Sequence, residues 1–307
     1  MARSKARGSF MWADKFSFLR GRVASASVGF LALSDDSIDG REIPHSQLVF
    51  WQQGKWGNNG QVKFTVVAMS LCTHPLRQVV AIGPFGEVFL TGSSDSHEEH
   101  IQAGNDSPSR RGMLRSVRGI GGKAYAAGVQ RQVYRRDGRD VWVAIDQDMR
   151  PQPGHVVGFE SIDGFAEDDI YAVGWGGEIW RFDGRSWHEL VSPTNFILTD
   201  VCCAGDGNVY ACGRVGMLVV GRNGAWRVIE HESTSEDIWS LAWFKGYLYA
   251  ATYRGLFRLE AERLVPVVMG ADVPRTYFTL SAMQDLMWSI GAKDVMAFDG
   301  SSWIRID

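Results

Sequence analysis

Hydrophobic and polar positions alternate along this chain too quickly to build long helices. From about residue 65 onward, apolar runs of four to six residues are cut by Gly, Asp and Asn. Runs of that length suit strands and cannot fill a helix. One of them, Ile-Tyr-Ala-Val-Gly at 170–174, returns in altered form at 124–128, 209–213, 248–252, 287–291 and, more weakly, 79–83. The closing positions 83, 128, 174, 213, 252 and 291 are spaced by 45, 46, 39, 39 and 39 residues. A second column follows about 13 residues after the first: Trp142, Trp187, Trp226, Val265 and Trp303. Two columns in register over five copies define a repeat, and a repeat outranks any single motif in deciding the fold.

Each copy predicts four short strands, best seen at 158–163, 169–174, 178–182 and 186–191. Asp183-Gly184, Asn223-Gly224 and Asp299-Gly300 occupy one equivalent hairpin turn. Such pairs tolerate the positive φ that two-residue turns require. The repeated Trp opens the fourth, outer strand, where its bulk suits the widening space between neighbouring units. Four strands in about 40 residues is the pattern of a β-propeller, in which radial closure removes most exposed edges.

Six copies are plain, and the N-terminal stretch supplies a seventh with an insertion over 34–47. The reading is an all-β, single-domain β-propeller of seven four-stranded blades. They fall at approximately 15–57, 65–103, 113–146, 158–191, 197–230, 237–268 and 277–307. An N-terminal tail, 1–14, precedes them and is a candidate strand for closing the ring. Six or eight blades would require residues 1–60 to pack differently.

The Tyr-Ala-Val-Gly pattern with its later Asp-Gly-x-x-Trp resembles a shortened kelch repeat, although the kelch double glycine is missing. Asp183-Gly-Arg-Ser-Trp187 and Asp299-Gly-Ser-Ser-Trp303 also resemble the Asp-box turn of sialidase-like and photosystem-assembly propellers. The full Ser-x-Asp-x-Gly-x-Thr-Trp spacing is absent. The resemblance spans roughly residues 65–307 and implies architecture more than activity, because propellers host unrelated functions.

Composition narrows the function classes. The 35 glycines and 12 tryptophans fit many tight turns around a repeated aromatic. A net charge of -3 argues against a nucleic-acid partner. The basic start, Met1 to Gly8, has no apolar segment behind it, so a signal peptide is not expected. No apolar run approaches 18 residues, so a membrane partner is not expected either. Cys72, Cys202, Cys203 and Cys212 lack metal-site or redox spacing and lie in apolar runs. They are expected to be buried, unpaired thiols in a cytoplasmic protein.

Candidate chemistry is sparse. His97-Glu-Glu-His100 has the wrong order for a zinc-protease motif and reads as a solvated turn. Gly119-Ile-Gly-Gly-Lys123 has the glycines of a phosphate loop, but strand residues follow it, so it reads as a turn between strands. A sialidase-like site needs an arginine cluster around a carboxylate, with a tyrosine nucleophile and an acid, and the arginines here are spread without a recognisable triad. No catalytic residue, metal or cofactor is assigned.

The repeat does define a face. The connections between blades are long, and in a propeller they share one rim with the turns between second and third strands. Phe85, Arg131, Trp175, Arg214, Tyr253 and Lys293 follow the first column and are expected to ring that mouth. Three aromatics and three bases match the composition of binding hot spots. Neighbouring acids (Asp146, Asp148, Glu230, Glu232, Glu236 and Asp237) add mixed charge, which favours a selective partner. The expectation is a monomeric, non-enzymatic protein-binding propeller, either a scaffold or an immunity protein that neutralises a toxin. The alternative is a carbohydrate-active or small-ligand propeller that uses the channel mouth.

Overall fold

The computed structural model describes residues 12–38, 40–92, 95–102, 104–152 and 154–307. Seven antiparallel sheets of four strands follow one another in chain order. The first strands are innermost: Phe16–Ser25, Ala68–Cys72, Leu114–Ile120, Phe159–Ala166, Leu198–Cys203, Ser240–Phe244 and Thr279–Met283. Each packs beside the first strand of the blade before and the blade after, so the seven encircle one axis. No helix is long and apolar enough to cross a membrane among the described residues.

The ring closes by packing between blades one and seven. All four strands of blade seven come from the C-terminal segment, ending in Trp303–Arg305 paired with Val295–Phe298. Residues 12–15 form a turn, and the rest of the candidate closing strand lies outside the described residues. The Phe18 N–H donates to the Ala292 carbonyl at 2.8 Å. The Trp56 Nε1–H donates to the Ile306 carbonyl at 2.6 Å. Trp51 and Trp56 both pack on the fully buried Trp288, with ring centroids 5.9 Å away in each case. The stretch 57–63, which the expected blade bounds 15–57 and 65–103 leave as a connection, is mostly the fourth strand of blade one, Lys55–Val62, whose pairing carries a register shift between Asn58 and Gln61.

Cross-strand register explains both repeat columns. Trp187 lies opposite Phe182, Trp226 opposite Gly221 and Trp303 opposite Phe298. The equivalent pair in blade six is Leu264 with Leu259, so the column runs through Leu264 and not Val265. Leu264 is buried while Val265 is 39% exposed. The slip arises because the second-to-third turn of blade six is one residue shorter than that of blades four and five. In blade two the column position is Ser96, opposite Thr91. These two blades, which lack the aromatic, border the open wedges of the ring. A cleft of about 940 Å³ separates blades five and six, and one of about 360 Å³ separates blades one and two.

The first column ends in glycine because another chain segment crosses it. A Cβ on Gly128, Gly174, Gly213 or Gly291 would lie 2.3, 1.9, 2.2 or 2.1 Å from a backbone carbonyl oxygen entering the first strand. Backbone cannot yield as a side-chain tip can. Gly174→Ala is therefore expected to cost about 1–3 kcal/mol and to lower the melting temperature by several degrees. Gly224→Ala, with open space around it, is the control and is expected to melt as the parent does. Equal melting of both variants would remove steric crossing as the reason for the column.

Candidate binding face

The carbonyls that exclude a side chain at the column also build the rim. The Gly158 carbonyl accepts the Trp175 N–H at 2.9 Å, and the Ile197 carbonyl accepts the Arg214 N–H at 3.0 Å. The Met113 carbonyl accepts the Val129 N–H at 3.0 Å, two residues before Arg131. The Tyr253 carbonyl accepts the Tyr277 N–H at 3.0 Å. Each second-to-third turn is thus tied to an inter-blade connection, giving a fixed scaffold for the side chains above it.

All six sequence-predicted residues lie in these turns, but their side chains divide into two sets. Phe85 and Tyr253 project outward, 42% and 49% exposed. Trp175 is half-buried and donates its Nε1–H to Glu160 at 2.6 Å, which fixes the indole. Arg214 reaches Asp237 at 2.5 Å and stacks over Trp239 at 4.9 Å while staying partly open to solvent. Arg131 is committed inward: its Nε donates to Glu178 at 2.6 Å and its guanidinium lies 4.8 Å over the Trp180 ring. Lys293 bridges the ring seam, donating to the Phe16 carbonyl at 2.8 Å and to the Asp36 carboxylate. Chain position alone cannot separate these sets, because the partners of Arg131 and Lys293 come from neighbouring blades.

Two expectations about charge are corrected. Asp146, expected on the rim, is fully buried, where its carboxylate accepts the Val133 N–H at 3.1 Å and pairs with Arg111. His97 to His100, expected as a solvated turn, belongs to the fourth strand of blade two, Ser96–His100. Strand alternation sends Glu99 inward, where Arg136 of blade three meets it with two hydrogen bonds of 2.9 and 2.6 Å. The 119–123 segment is the turn it was read to be, with Gly121 and Gly122 at φ 57° and 90° between paired strands.

The channel holds what sequence reasoning missed. Arg20, Arg22, Arg115 and Arg118 line a cavity of about 290 Å³ on the axis, together with Glu160 and Asp200. The only sequence signal is the close spacing of Arg20 with Arg22 and of Arg115 with Arg118 on strands now known to be innermost. Arg118 lies 3.3 Å from Asp163 and 3.9 Å from Asp200. Asp200 also accepts the Ser161 hydroxyl at 2.6 Å and the Leu241 N–H at 2.8 Å, and Asp163 accepts the Cys203 N–H at 2.9 Å. These acids tie blades together, so the carbohydrate-active reading gains no free acid pair from them. Burial pushes the Cys202 and Cys203 thiols well up, which makes them poor nucleophiles.

No family model matches the chain. Over 298 residues it is 44% identical to immune protein Tsi7 of Pseudomonas aeruginosa, covering 95% of this chain and 97% of that protein. The chain belongs to the Tsi7 immune-protein family. The fold of this Tsi7-family member is also that of remote solved propellers. YCF48 bound to a D1 peptide superposes with a TM-score of 0.67 at 14% identity, covering 92% of each chain. The WD40 propeller domain of Doa1 gives 0.66 at 10% identity, covering 94% of this chain and 92% of its own. At such identities the likeness concerns architecture, and only the Tsi7 relationship bears on function.

Proposed function

We propose that this Tsi7-family chain is a non-enzymatic immunity protein that neutralises a partner toxin by binding it through the loop-rich rim. The observation that carries the reading is the 44% identity to immune protein Tsi7, which extends along 95% of the chain. The geometry supports it in two ways. Rigidly tied turns present Phe85, Trp175, Arg214 and Tyr253 on one face, and the nearby charges are mixed, as suits a protein surface. The chain acts as a cytoplasmic monomer, without nucleic acid or membrane as partner. Asp183 and Asp299 each accept two backbone N–H groups in their hairpin turns, which supports a degenerate Asp-box origin for the repeat.

The test is affinity capture of the tagged chain from its own organism, with sequencing of the co-purifying protein. The expected result is one dominant partner at one-to-one stoichiometry. Expressed alone, that partner arrests growth, and co-expression of this chain relieves the arrest. A captured partner that is harmless on its own would refute the immunity reading.

A further inference from the structure

Four guanidiniums converge on the central channel, and among the described residues the carboxylates beside them number three: Glu160, Asp163 and Asp200. Their pairing is uneven. Arg118 takes Asp163 and Asp200. Arg115 comes only to 3.9 Å from Glu160, whose Oε1 already accepts the Trp175 indole N–H at 2.6 Å. Arg20 donates to two backbone carbonyls, Val67 at 2.8 Å and Leu19 at 2.7 Å, and forms no ion pair among the described residues. Arg22 forms none either, and its Nε is buried without a hydrogen-bond partner.

The arginines also oppose one another. Burial, and after it the charge of Arg118, outweigh the pull of Asp163 and bring the Arg22 guanidinium down to about 10. Arg20 is also lowered, chiefly by burial with Arg115 adding to it, against the pull of Asp200 and Glu160. Two like-charged pairs across a narrow cavity, one donor with nothing to bond, and a surplus of positive charge form an unstable arrangement by themselves. Arg20, Arg22 and Arg118 are partly withdrawn from water, where a charge without a full counter-charge is costly, and a guanidinium fork matches oxygens held in one plane of a small anion. The cavity, at about 290 Å³, has room for such an ion with several waters.

We propose that the axial channel is a binding site for one small oxyanion of the phosphate or sulfate class, held by Arg20, Arg22 and Arg115, with Arg118 completing the cage. The site lies below the rim and needs no toxin, so it stands or falls separately from the immunity reading. Its occupant ties the innermost strands of blades one and three across the axis. Through Glu160 it also braces the indole of Trp175 on the rim.

Calorimetric titration of inorganic phosphate into the intact protein, dialysed free of oxyanions, tests the site. One binding event per chain is expected, with a melting temperature that rises with phosphate beyond the effect of sodium chloride at equal ionic strength. Arg22→Gln is expected to weaken binding about tenfold or more, the loss of one charge-assisted contact. Arg115→Gln, at a more exposed position, provides a second variant should the first fold poorly, with a similar loss expected. Acetate in place of phosphate separates a carboxylate preference from a tetrahedral one, and equal or tighter acetate binding overturns the assigned class. No heat and no salt-independent shift, or unchanged binding in both variants, overturns the site. Crystals grown with sodium tungstate give a reading independent of any variant. Density within hydrogen-bond reach of the Arg22 and Arg115 guanidiniums supports the site, and tungstate confined to the outer surface overturns it.

Discussion

Glu99→Ala is expected to destabilise the propeller by about 3–5 kcal/mol, the cost of leaving a buried guanidinium unpaired. Both partners are almost fully withdrawn from water, at 0% exposure for the Glu99 side chain and 1% for Arg136. Glu99 also accepts the Trp142 indole N–H at 3.0 Å, so its loss orphans the wedge-filling aromatic of blade three as well. Replacing both charges, Glu99→Leu with Arg136→Met, is expected to recover most of the loss, because the double variant removes the pair's desolvation along with its attraction. The pH dependence has a defined sign. Burial alone would raise the Glu99 carboxyl, but hydrogen bonds from Arg136 and Trp142 and the Arg136 charge outweigh it and hold the group at about 2, against an ordinary 4.5. A carboxyl depressed in the folded state contributes stability that is complete above its unfolded value and lost as pH falls through its folded one. Between pH 5 and pH 2 the parent should therefore lose on the order of 3 kcal/mol from this group. Urea midpoints across that range, compared with the double variant, isolate the contribution from other acids. Identical pH profiles for the two proteins would show that Glu99 is not the titrating group.

That ion pair marks where the sequence stopped being legible. Blade number and strand order follow from local repetition, because each blade is contiguous and its turns carry their own residue requirements. The tryptophan column was readable for the same reason, and it slipped only at Val265, where a turn one residue shorter shifted the true position to Leu264. His97 to His100 misled because four polar residues in a row look like solvent-facing chain. The partner that makes burial of Glu99 tolerable, Arg136, lies 37 residues away in the next blade. Asp146 misled through Arg111, which lies 35 residues earlier in the connection leading into the same blade, and the channel arginines met only when seven first strands closed into a ring. Repetition reports what a blade does for itself, and it is silent on contacts between blades. In a propeller those contacts supply the charge pairing, and they also decide which rim side chains remain free.

The division of the rim residues gives the sharpest test of the face. Trp175→Ala and Tyr253→Ala are each expected to weaken binding of the captured toxin by about 30-fold or more, roughly 2 kcal/mol, with little change in melting temperature. Tyr253 is half exposed and the Trp175 indole is already fixed by Glu160, so little ordering entropy opposes their use in an interface. Arg131→Ala should behave in the opposite way. Its guanidinium is spent on Glu178, which is 8% exposed, and on the Trp180 ring, so truncation should lower stability while binding of the folded protein stays near the parent value. Measuring affinity and melting on the same three variants separates the two roles. If Trp175→Ala and Tyr253→Ala bind normally while Arg131→Ala loses affinity without losing stability, the contact surface lies elsewhere. The wedge between blades five and six, which Leu264 fails to fill, would then be the next surface to probe, since Trp226, Trp243 and Tyr247 line it. A rim contact instead predicts that substitutions in that wedge leave toxin affinity unchanged, because the wedge lies among the opposite turns of the same two blades.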